Sequence, residues 1–150
     1  MKNEFLKIIT GFILFSSCTS NRPDLSKQAK EEIINADKAM NQLASSKGFY
    51  SALLQYSDDS IIKPKEGELP VIGKKLLEKY WEDKAVIKEI TWEPILAEAS
   101  SSGDMGYTFG DWKYKSKDTV MYGNYCTIWK KQVDGSWKFV YDGGNNTPKP

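Results

Sequence analysis

The chain has 150 residues, with 21 basic side chains against 20 acidic ones and a formal net charge of +1. That size suits one domain with a real core, and the balanced charge argues against nucleic acid, which asks for a basic patch. Histidine is absent, which removes Ser-His and Cys-His nucleophilic systems and every His-based metal site. No metal and no cofactor is called for, and any chemistry must run on Asp, Glu, Tyr, Lys or ordered water.

The chain opens on Lys2 and Lys7 around an apolar run, Ile8 to Phe15, that is too short to cross a bilayer. Phe15-Ser16-Ser17-Cys18 follows and resembles the lipobox of bacterial lipoproteins, in which small residues precede a cysteine that is acylated and becomes the mature N-terminus. Phe15 departs from the usual Leu. Residues 1–17 are therefore expected to be a lipoprotein signal peptide, Cys18 the lipidation site, and 18–25 a polar tether. This predicts a membrane-anchored cell-envelope protein, periplasmic or outer-membrane. Removing Lys2, Glu4 and Lys7 with the leader leaves basic and acidic side chains equal in number. With Cys18 lipidated, Cys126 has no disulfide partner and is most simply a small strand hydrophobe.

The domain proper is expected over 26–150. Ile33, Ala36, Met40, Leu43 and Ala44 recur at helical spacing from Ser26 onward, and Gly48 stops that helix. Phe49 to Tyr56 reads as a second helix. Ser57 to Ser60 reads as a turn, Ile61-Ile62 as a short strand, and Lys63 to Pro70 as a polar loop. A third helix follows Gly73 to about Asp83, with Leu76, Leu77, Tyr80 and Trp81 on one side. Strands are predicted over 87–99, 105–115, 119–132 and 136–142, with Asp134-Gly135 as a hairpin signal and a Gly/Asn/Pro tail.

Helices first and antiparallel strands afterwards give an α+β order. Pairing Lys115 with Asp118 and Val133 with Ser136 sorts the strand side chains onto two faces. One face holds Thr108, Gly110, Trp112, Met121, Gly123, Tyr125, Thr127, Trp129, Val140 and Asp142. The other holds Tyr107, Phe109, Asp111, Tyr122, Cys126, Ile128, Trp137, Phe139 and Tyr141. The first combines glycines opposite large aromatics with one carboxylate, the mixture a ligand cavity needs. The second is denser in apolar groups and suits a dimer interface.

Four segments, Asn35 to Met40, Ser102 to Trp112, Gly123 to Lys131 and Asp134 to Asn145, together resemble the NTF2-like superfamily, and within it the small bacterial SnoaL-like domains called DUF4440. The resemblance implies a cone-shaped α+β barrel: three N-terminal helices packed on a curved, mainly antiparallel sheet, with a deep cavity between them, often dimeric through the sheet. It does not imply one activity, since the superfamily includes ketosteroid isomerase, polyketide cyclases, dehydratases, epoxide hydrolases and non-catalytic binders. Lack of histidine argues against the His-dependent members.

Asp142 is the first catalytic candidate, at a strand end among aromatic neighbours, where a carboxyl could act as general base or donate a hydrogen bond. Asp37, beside the helix stripe, is the second. Trp112, Tyr125, Trp129 and Trp81 are the candidate ligand wall. The leading expectation is a lipid-anchored domain binding a small, partly apolar molecule. The alternatives are a SnoaL- or ketosteroid-isomerase-like enzyme with Asp142 as base, and a structural or protein-interaction module whose cavity is filled by its own side chains.

Overall fold

A computed structural model describes residues 23–149. Cys18 and the leader lie outside that range. The elements run α1 (Ser26–Lys47), α2 (Phe49–Tyr56), β1 (Ser57–Lys65), β2 (Glu68–Ile72), α3 (Lys74–Trp81), β3 (Ile90–Ala99), β4 (Met105–Lys115), β5 (Val120–Lys131) and β6 (Trp137–Thr147). The strands form one six-stranded sheet in the order β2-β1-β6-β5-β4-β3. Every neighbouring pair is antiparallel except β1 and β6, which run parallel. The α+β class and the three helices on a curved sheet are as expected, but only two helices lead. The third follows the β1–β2 hairpin.

The α1 stripe is Ala29, Ile33, Asp37, Met40 and Ala44, all buried, so a carboxylate occupies the middle of an apolar face. Gly48 separates α1 from α2 at φ 100, a backbone conformation that favours glycine, and a Cβ there would meet Val86 Cγ1 at 2.7 Å. The amide of Phe49 then donates to Ile87 O at 2.7 Å, which ties the helix junction to the segment before β3.

Residues 57–70 differ most from the sequence reading. Instead of a turn, a short strand and a loop, they form β1 and the start of β2, joined through Glu66-Gly67 with Gly67 at φ 69. The local signals there are weak because β1 is held by its parallel partner β6, 79 residues away in the Ile62–Tyr141 pair. The tail residues Gly143 to Thr147 likewise continue β6, since they pair with Cys126 back to Tyr122 of β5. Gly144 is needed for that approach: a Cβ would stand 2.4 Å from Asn124 O.

The β4–β5 turn is two residues longer than a Lys115–Asp118 pairing allows, because Ser116 closes onto Thr119 and Lys115 pairs with Val120. A two-residue slide preserves the faces, so Thr108, Gly110, Trp112, Gly123, Tyr125, Thr127 and Trp129 do share the helix-facing side. At the β5–β6 hairpin, Gln132 N bonds Ser136 O and Lys131 pairs with Trp137, one residue off the expected register. Val140 is then an extra residue, a bulge that restores the expected pairing at Ile128–Tyr141 and Thr127–Asp142. The consequence is a correction: Trp137 and Phe139 turn inward and are buried in the core, while Tyr141 stays on the outer face.

Candidate functional site

The cavity lies between α1, α2 and the sheet and encloses about 240 Å³. Its apolar side is Met40, Phe49, Leu53, Ile90, Trp92 and Trp112, and its polar side includes Lys63, Tyr125, Thr127 and Asp142. Two glycine–aromatic pairs across β4 and β5 make the room. Gly110 faces Tyr125 and Gly123 faces Trp112, and a Cβ on either would stand 2.7 Å or 2.2 Å from the opposing ring. The rings can therefore lie against the sheet rather than stand across the cavity.

Asp142 is buried and reaches the cavity from β6. Thr127 Oγ1 donates to its Oδ1 at 2.7 Å. The Lys63 ammonium donates to its Oδ2, forming an ion pair whose side chains are 21% and 12% exposed. The parallel β1–β6 ladder explains the partnership: with Ile62 opposite Tyr141 on the outer face, the next residues, Lys63 and Asp142, both turn inward. The setting of Asp142 is thus charged and hydrogen-bonded rather than apolar.

Asp37 does not line the cavity but sits behind two residues that do. Trp92 Nε1 donates to its Oδ1 at 2.6 Å and Tyr125 Oη to its Oδ2 at 2.9 Å. Burial raises its pKa above the ordinary 3.8, opposed by hydrogen bonds from Thr108, Trp92 and Tyr125. Burial, then the facing Asp37 carboxylate, likewise raise the Tyr125 phenol. One turn along α1, Asn41 Nδ2 donates to Trp92 O at 2.8 Å, so Asp37 and Asn41 hold the indole and the backbone of the same residue.

Of the aromatic candidates, Trp112 and Tyr125 line the cavity, whereas Trp129 and Trp81 do not. Trp129 is fully buried, donates to Thr108 Oγ1 at 2.9 Å, and meets Phe139 edge-on. Trp81 packs on Tyr50 with ring centres 5.0 Å apart. The sequence reading missed Lys63, placed in a loop, and Trp92, left without a role. A hint existed for Trp92, since it lies among alternating residues of a predicted strand. Among the described residues, no cluster of three or more Cys, Asp or Glu side chains could hold a metal ion.

No protein-family model and no curated protein matches the sequence. Solved structures do match. An NTF2-like protein of unknown function from Pseudomonas putida aligns with a TM-score of 0.65 at 15% identity, over 80% of this chain and 87% of that one. One from Shewanella oneidensis, also of unknown function, aligns at 0.61 and 17% identity, over 76% and 96%. A ketosteroid isomerase-like protein from Erwinia carotovora atroseptica aligns at 0.57 and 15% identity, over 78% and 95%.

Proposed function

The chain has the NTF2-like fold, and from that premise we propose that it is a binding domain for one small, partly apolar molecule held between sheet and helices. The observation that carries this reading is the cavity itself: an aromatic and aliphatic wall with the Lys63–Asp142 ion pair in its lining. At about 240 Å³ it has room for roughly a dozen non-hydrogen atoms at ordinary packing density. An isomerase-type reaction with Asp142 as base has less support, because a proton taken onto the carboxylate would leave the largely buried Lys63 ammonium without its counter-charge. A module filled by its own side chains is not what an open cavity of this size favours.

The wider proposal is a SnoaL-like, DUF4440-type lipoprotein of the cell envelope, anchored through Cys18 and paired as a homodimer across the outer sheet face. Among the described residues, no helix is long and apolar enough to cross a membrane; in this reading the lipid on Cys18 supplies the membrane attachment. The dimer proposal is supported by the apolar row Ile62, Tyr141, Ile128 and Tyr107, adjacent across β1, β6, β5 and β4 on the face away from the helices.

Calorimetric titration with indole, a flat and water-soluble probe, tests the binding reading. Saturable binding at one per chain, lost when Ile90→Trp fills the cavity, is expected. Binding unaffected by Ile90→Trp would place the probe elsewhere and overturn the assignment.

A further inference from the structure

The N–H and O–H donors of the aromatic wall are already spent inside the protein. Trp92 Nε1 and Tyr125 Oη both donate to Asp37, and Trp112 Nε1 donates to Asn124 O at 3.1 Å. To a ligand these side chains present carbon and ring faces and no free N–H or O–H, the Tyr125 oxygen remaining as an acceptor. Within the cavity the charged groups left to meet a polar atom are Lys63 and Asp142, while Glu66 is exposed at the rim. The Lys63 ammonium donates one of its three N–H groups to Asp142 and has two more to offer; Asp142 accepts from Lys63 and Thr127 and keeps spare lone pairs. The pair therefore offers a donor and an acceptor side by side, with its charges already cancelled.

We propose that the cavity selects an uncharged amphiphile: a flat apolar body whose head carries one hydrogen-bond acceptor and one donor next to each other, of which a primary carboxamide is the simplest. The carbonyl of such a head accepts from Lys63 and its N–H donates to Asp142, so neither member of the ion pair loses its partner. A carboxylate head would bring a second anion against Asp142, and an ammonium head a second cation against Lys63. Either leaves a largely buried charge in excess, which a low-dielectric site penalises heavily. This rests on the binding reading above and specifies its ligand class.

The test is a set of probes sharing one body, namely naphthamide, naphthoate and naphthylmethylammonium, titrated at neutral pH into the wild-type protein and into Asp142→Asn and Lys63→Met. Wild type is expected to bind the amide at least about tenfold more tightly than either charged probe. Asp142→Asn frees Lys63 and should move the preference to naphthoate. Lys63→Met frees Asp142 and should move it to the ammonium. Heads that bind wild type within about twofold of one another would overturn the proposal, as would a rank order identical in all three proteins. The wild-type series decides alone if a variant fails to fold. Indole binding without head-group preference removes this proposal and leaves the binding reading standing; absence of binding by indole and by all three heads removes both.

Discussion

Asp37 brings a carboxylate into the centre of an apolar helix face, and its partners there are neutral donors. Its folded pKa lies above the ordinary 3.8. Its contribution to stability is therefore fully present below about 3.8 and is lost as pH rises through the folded value. Asp37→Asn keeps an acceptor for the Trp92 indole and can donate to the Tyr125 oxygen, so it should fold and lose that pH dependence. Asp37→Ala leaves both donors unsatisfied and should cost about 2–4 kcal/mol in urea denaturation. Equal stability of the alanine variant would show that the network is unimportant.

Glu32 works in the opposite sense. Its Oε2 accepts from Lys131 at 2.6 Å and from Trp137 at 2.8 Å, and its pKa is lowered from 4.5 to about 2 by these bonds, Lys131 first. Its stabilisation is present above pH 4.5 and lost as pH falls through about 2. Since the side chain is 30% exposed, solvent screening limits the effect to roughly 1–2 kcal/mol. Acid unfolding of Glu32→Gln should lack this component; a curve parallel to wild type between those pH values would contradict it.

Among the elements, β4 and β5 set the shape of the site through small residues opposite large ones. Gly123 is the tightest position, where a Cβ would stand 2.1 Å from Asn145 O and 2.2 Å from the Trp112 ring. Gly123→Ala should destabilise by about 2–3 kcal/mol and weaken indole binding, because Trp112 and β6 must both move. Unchanged stability and affinity would mean that the Trp112 ring position does not matter. These strands were also the most legible part of the sequence. Met105 to Lys115 was bounded correctly, and the faces survived a wrong turn length because a two-residue slide keeps parity. Trp137 and Phe139 were misplaced because one bulge at Val140 inverts parity locally, and no residue pattern announces it. Lys63 could not be read at all, since its meeting with Asp142 depends on a parallel pairing between distant segments.

On the scale of the whole molecule, the sheet separates two surfaces of different use. The helix side encloses the cavity, and the outer side carries the row Ile62, Tyr141, Ile128 and Tyr107. If that row is a homodimer interface as proposed, Ile128→Lys should convert the protein to a monomer in sedimentation equilibrium while its helix content stays unchanged. A wild-type protein already monomeric at tens of micromolar would contradict the dimer. The cavity claim is tested most directly by native mass spectrometry of the protein purified without added ligand. The account predicts a retained small molecule at one per chain, released on collisional activation and absent from Ile90→Trp. A wild-type spectrum showing bare protein alone, together with no saturable uptake of indole, would contradict it.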